Sequence, residues 1–237
     1  MTMNRTILIG GYWALTFALF VVAIAMVAFY APLEQSMGPI QKVFYLHLPV
    51  AISTFLACAA SFAASIAYLA QRDGKWDDLA AASARVAVQL CAVVLLTGMI
   101  WARSAWGVWW TWSPRLTFSL VLFLLYVVYL MVRMSIESSQ RRAVVAAVYA
   151  IIAFLDVPLV YLSARLMPDV HPASIELAPA MKLTLLVWFA PVLMLTGGLI
   201  AAKTSLNRRE REARSRAVET SAFPVVAAPA RAAGGVP

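Results

Sequence analysis

Six apolar runs dominate the chain, at residues 7–31, 47–70, 86–101, 117–134, 143–165 and 181–202. A helix needs about 20 apolar residues to cross a bilayer, and its backbone polar groups must be satisfied within the segment. Runs of this length therefore predict membrane-crossing helices. The 237 residues are 63% hydrophobic and 13% charged, with a mean hydropathy of +0.82, too few polar groups to cover a soluble domain. The expected fold class is an all-α integral membrane protein with six transmembrane helices, occupying residues 1–206. The third run is the weakest, because Gln89 and Arg103 trim its apolar length. The first has no small-residue cleavage site and keeps bulky side chains through Tyr30, which reads as a retained anchor rather than a cleaved signal.

Basic residues set the expected orientation. One set of connections holds Arg5, Arg72, Lys75, Arg85, Arg133, Arg141 and Arg142, followed by seven more in the tail. The opposite set holds only Lys42, Arg103, Arg115, Arg165 and Lys182. This bias puts both termini in the cytoplasm and makes the net charge of +8 mainly a topology signal, with no nucleic-acid role implied. The Arg-rich stretch at 208–216 also suits anionic lipid or a cytoplasmic partner. Residues 207–237 are expected to form a cytoplasmic tail, basic at first and then disordered, because composition shifts to Ala, Pro, Val and Gly after Arg216. No internal repeat is evident, which gives no support to an inverted-repeat transporter.

Five of the eight tryptophans fall within residues 101–112, in the run WARSAWGVWWTW. The stretch at 101–116 joins two spans on the outer side, as a tryptophan-rich amphipathic loop or short surface helix. Were it helical, Trp106, Trp109 and Trp110 would share one side and Trp112 would add to its edge. An aromatic belt at the headgroups is the structural alternative, but belts scatter one or two tryptophans per span end, and here four fall in seven residues. Such crowding favours a platform for a large, flat, apolar ligand. Ser113-Pro114-Arg115 reads as a helix start, with Ser113 as N-cap and Pro114 at the first helical position.

The chain has two histidines, His47 and His171, and both fall on the tryptophan side. Zinc usually takes three or four protein ligands, which would draw on Asp169 or Glu176 and leave the tryptophans unexplained. Haem accounts for more: two axial positions on iron, a broad apolar macrocycle, and propionates that want cations. Arg103, Arg115, Arg165, Lys42 and Lys182 are the cations on that side. Cys58 and Cys91 lie within spans, with no CxxC or CxxCH motif, and read as packing residues. Asp156 is the one acidic residue deep in a run. It stands either as a functional intramembrane carboxylate or as a partner for backbone loosened by Pro158, and the second account is the plainer.

The segment WGVWWTWSPRLT resembles the tryptophan-rich WWD motif of haem-handling proteins of cytochrome c maturation. With KVFYLHLPVA before it and DVPLVYLSARLMPDVHP after it, residues from about Lys42 to Ala202 resemble the haem exporter protein C (CcmC) family of the Ccm system. The resemblance implies haem b bound as cargo at the outer face of a bacterial inner membrane. His47 and His171 would be the axial ligands, Trp106, Gly107, Trp109, Trp110 and Trp112 the platform, and Arg115 a propionate contact. Lys42 stands where the family has a basic residue before its first histidine. Ser113 occupies the motif's acidic position, and Leu166 and Met167 replace aromatics before the second histidine. The implied partners are a periplasmic haem chaperone (CcmE-like), ABC-transporter-like subunits (CcmA, CcmB) and a small CcmD-like subunit. The implied activity is haem binding and transfer, not enzymatic turnover, and the chain has no nucleotide-binding loop of its own. The competing reading is a bis-histidine, quinone-linked electron-transfer subunit, although such proteins place paired histidines on facing helices.

Overall fold

The computed structural model describes residues 2–35, 37–167 and 176–222. Among these residues the protein is helical, and its one extended pairing is an isolated bridge between Glu34 and Gly38. Six helical segments are long and apolar enough to cross a membrane: Thr6–Tyr30, Pro39–Gln71, Gly74–Trp106, Pro114–Ser135, Ser139–Ser163 and Pro179–Val218. The helices are α1 (Thr2–Ala25), continued by a π turn at Met26–Tyr30; α2 (Phe44–Gln71), entered through a 3-10 turn at Pro39–Val43; α3 (Gly74–Trp106); α4 (Pro114–Ser135); α5 (Ser139–Ala153); α6 (Asp156–Leu166); and α7 (Pro179–Ala222).

The third span, expected to be the weakest, lies in a 33-residue helix. Its polar first turns do not interrupt it because their carboxylates are held. Asp77 takes the Arg133 guanidinium of α4, and Asp78 takes Arg211 of α7 at 3.0 Å. The Asp73 carboxylate caps the helix, accepting the Lys75 N–H at 2.9 Å, and that bond holds its carboxyl below the usual range. The fifth span is two helices. Pro158 cannot donate to the Phe154 carbonyl, and the chain breaks at Phe154–Leu155 before α6 begins. Asp156 is buried at this break, and its Oδ2 finds no protein partner among the described residues.

α2 and α3 form the tightest pair. Between them Arg72 takes the left-handed conformation and donates its N–H to Tyr68. Their contact face carries small buried residues, Ala57, Ser61, Ala64 and Ser65 on α2 with Ala80, Ala84 and Ala87 on α3, which lets the backbones approach. The Ser61 hydroxyl donates across to the Ala80 carbonyl at 3.1 Å, fixing the register. α1 joins through α7: Tyr12 donates to the Met194 carbonyl and Trp188 Nε1 to that of Ala23.

α7 runs on without a break through Asn207 to Ala222, so the basic stretch 208–216 is helical and continuous with the sixth span. The basic opening of the tail expected from residue 207 is thus a continuation of this helix. At 1.5 Å per residue α7 is about 66 Å long, so its last turns clear a hydrocarbon core about 30 Å thick. Residues 223–237, which include the expected disordered end of the tail, lie outside the described residues. The bundle thus has two ends. One gathers the α2–α3 turn, the end of α4 and the α7 extension; the other holds the tryptophan loop.

Candidate functional site at the tryptophan-loop end

A chamber of about 390 Å³ opens at the tryptophan-loop end, within the range of about 300–1,000 Å³ common for small-molecule sites. Its walls come from α2, α3, α4, α6 and α7 and are mostly apolar, including Phe44, Leu48, Phe55, Val94, Leu95 and Met99. The chamber reaches from Trp110 and Arg115 at the loop down to Phe55, Cys91 and Leu122. Along α4, Arg115 to Leu122 is about 10 Å of helix.

His47 lines this chamber from the start of α2. Its imidazole meets three residues of one face of α3. Nδ1 lies 2.8 Å from Thr97 Oγ1, a β-carbon added at Gly98 would lie 3.4 Å from Cε1, and the Trp101 ring packs edge-on at 6.2 Å. Trp101 is buried and also meets Phe44 at 6.0 Å. Thr97 and Gly98 carried no site expectation, and Trp101 was expected only as the first residue of the tryptophan run. A threonine inside an apolar run was the available signal, but its meeting with His47 depends on the α2–α3 register.

The tryptophan loop is not a helix. α3 ends at Trp106, and Gly107 caps it in the left-handed region (φ 75°), giving its N–H to the Arg103 carbonyl at 3.2 Å. The Arg103 guanidinium returns to the Gly107 carbonyl, so this cation serves the cap. The i, i+3, i+4 spacing therefore does not apply beyond Trp106. Instead the loop folds back so that Trp106 and Trp110 both line the chamber, with Trp110 edge-on to Trp112 at 5.8 Å. Trp109 and Trp112 do not line it and stand 60% and 75% exposed.

α4 starts at Pro114, with Ser113 in N-cap geometry and its carbonyl accepting the Thr117 N–H at 2.9 Å. The Ser113 hydroxyl makes no capping bond, contrary to its expected role. Ser113 Oγ, Thr111 Oγ1 and Trp110 Nε1 are all buried without a protein partner among the described residues. Of the five cations on this side, only Arg115 lines the chamber. Arg165 stacks over Tyr161, itself a lining residue, at 4.8 Å, while Lys42 lies on the 3-10 turn and Lys182 is exposed on α7. His171 and Asp169 lie outside the described residues. Among the described residues no three His, Cys, Asp or Glu side chains converge as a metal cluster. Cys58 and Cys91 are buried free thiols.

Fold and site together define a multi-pass helical membrane protein with a largely apolar chamber, the His47 imidazole in its wall, at one end of the bundle. The chain belongs to the heme exporter protein C (CcmC) family, whose profile matches residues 2–222. Relatives named heme exporter protein C include one from Bradyrhizobium diazoefficiens, 30% identical over 146 residues, covering 61% of this chain and 56% of the relative. One from Rhodobacter capsulatus is 32% identical over 124 residues, covering 52% and 51%. A third, from Paracoccus denitrificans, is 27% identical over 191 residues, covering 76% and 79%. The chain thus spans about half the length of the first two relatives.

Proposed function

We propose that the chain binds haem b as cargo at the tryptophan-loop end and passes it to a periplasmic haem chaperone during cytochrome c maturation. In this reading the tryptophan loop faces the periplasm across a bacterial inner membrane, and both termini face the cytoplasm. His47 and His171 are the axial iron ligands. Trp106, Gly107, Trp109, Trp110 and Trp112 form the platform, while Arg115 and Lys42 attract the propionates. ABC-transporter-like subunits and a small membrane subunit are the partners, and any ATP use belongs to them.

The observation that carries this reading is the convergence of His47, Trp106, Trp110 and Arg115 on one chamber. These are an imidazole, two indole rings and a cation, joined by apolar walls suited to the macrocycle. Each aromatic contact adds about 0.5–1.5 kcal/mol beyond area burial. The exposed Trp109 and Trp112 suit the side from which an acceptor takes it.

Haem-loaded protein in nanodiscs, mixed with the purified chaperone, tests the reading. The expected result is movement of the haem absorbance to the soluble acceptor. Haem that stays bound while cycling its redox state with quinol would establish the electron-transfer reading instead.

A further inference from the structure

We propose that Thr97 is the positioning residue that fixes the tautomer and ring orientation of His47. Thr97 Oγ1 lies 2.7 Å from the Val93 carbonyl, 3.1 Å from that of Val94, and 2.8 Å from His47 Nδ1. A hydroxyl has one hydrogen and a carbonyl only accepts, so that hydrogen goes to Val93. Toward His47 the same oxygen can then only accept. Nδ1 therefore carries the ring hydrogen, and the lone pair of the neutral imidazole sits on Nε2. The opposite tautomer would leave two acceptors facing each other at one of these short distances.

The surroundings hold the ring in that pose. Gly98 leaves room beside Cε1, where a β-carbon would already be in contact at 3.4 Å. Trp101, one turn after Thr97, closes another side at 77° to the imidazole plane. Positions 97, 98 and 101 share one face of α3, so a single helix presents acceptor, gap and aromatic edge to a side chain fifty residues away in sequence. The Ser61 bond to Ala80 keeps α2 from sliding along α3.

The consequence for cargo rests on the reading of His47 as an iron ligand. A hydrogen bond from Nδ1–H orients the ring and makes Nε2 more basic, and loss of such a partner typically costs 10- to 100-fold in metal affinity. Thr97→Val keeps the shape and removes the acceptor. Thr97→Ser restores the hydroxyl.

Because the chain has only two histidines, the test can be read without haem. The full-length His171→Ala protein, labelled with nitrogen-15 histidine in nanodiscs, gives one imidazole, that of His47. At a pH where the ring is neutral, solid-state NMR is expected to show the Nδ1–H tautomer. Thr97→Val in the same background should shift it toward Nε2–H, and Thr97→Ser should restore it. Nε2–H as the main form with Thr97 present would overturn the proposal, and this result needs no variant at position 97 to fold. An unchanged tautomer in Thr97→Val would overturn it as well. Haem titration then separates the two ideas. A 10- to 100-fold loss in Thr97→Val on the otherwise native chain, rescued by Thr97→Ser, supports the positioning role. A tautomer that shifts as expected, while His47→Ala leaves the haem spectrum unchanged, would keep the positioning role and remove His47 as ligand.

Discussion

Arg133 holds Asp77 through both carboxylate oxygens, at 2.5 and 2.9 Å, with each side chain 15% exposed. The pair ties the last turn of α4 to the first turn of α3, and the Tyr129 ring lies 5.8 Å from the guanidinium. Either partner alone would leave a nearly buried charge without its counterion. Asp77→Leu or Arg133→Met alone should destabilise the protein by about 3–5 kcal/mol, while the double variant should recover most of the loss. Unfolding of all four proteins in one detergent checks this. Single variants as stable as the wild type would show that the pair does not hold α3 to α4.

The α1–α7 contact depends on Gly198. A β-carbon there would stand 2.8 Å from Trp13 Cη2 and Tyr12 Cε1, whereas one at Gly197 would meet only the Tyr12 hydroxyl at 3.9 Å. Gly198→Ala should cost about 1–3 kcal/mol through overpacking. Gly197→Ala should be neutral or gain up to about 1 kcal/mol of helix propensity. Thermal unfolding of the two variants side by side decides the point, and equal behaviour would mean that α1 gives way freely.

Gly107 turns the chain out of α3 at φ 75°, with open space around its Cα. A side chain there meets backbone strain and no clash. Gly107→Ala should cost about 1–2 kcal/mol and Gly107→Asn less, since asparagine visits this region more readily. Haem affinity should fall in the same order, because Trp106 and Trp110 flank the turn. Loss of affinity with stability unchanged in Gly107→Ala would point to a direct contact in place of a conformational role.

The two pairs of tryptophans should separate in function. Trp106→Ala and Trp110→Ala remove chamber-lining rings and should weaken haem binding by about 0.5–1.5 kcal/mol each beyond lost area. Trp109→Ala and Trp112→Ala remove exposed rings and should act mainly on the rate of transfer to the acceptor. Equilibrium haem titration and stopped-flow transfer, run on all four, compare the two steps. Equal losses of affinity at all four positions would require the loop to close over the ligand as one surface.

The six spans were legible because length and apolarity alone decide whether a segment crosses a bilayer. The full extent of α3 was not. Lys75, Asp77, Asp78 and Arg85 read as a loop until Arg133 and Arg211 are seen to take the two carboxylates. Pro158 marked a loosened backbone within a single expected fifth span, and its division into α5 and α6 is visible only in the structure. The form of the tryptophan loop turned on Gly107, whose left-handed φ stops the helix that tryptophan spacing suggested. Ser113 fell at the N-cap position as its sequence implies, but its hydroxyl makes no capping bond. At the site, Trp106, Trp110, His47 and Arg115 could each be named from the sequence. Thr97 could not, because its contact with His47 exists only once the turn at Arg72 and the small-residue face fix how α2 lies on α3.

In the proposed function His47 and His171 together hold the haem iron. The most direct measurement is the absorption spectrum of haem-loaded wild type beside His47→Ala and His171→Ala, prepared identically. The account predicts a six-coordinate, bis-histidine spectrum in the wild type, with altered bands and reduced haem content in each variant. Unchanged spectra and haem content in both variants would contradict it.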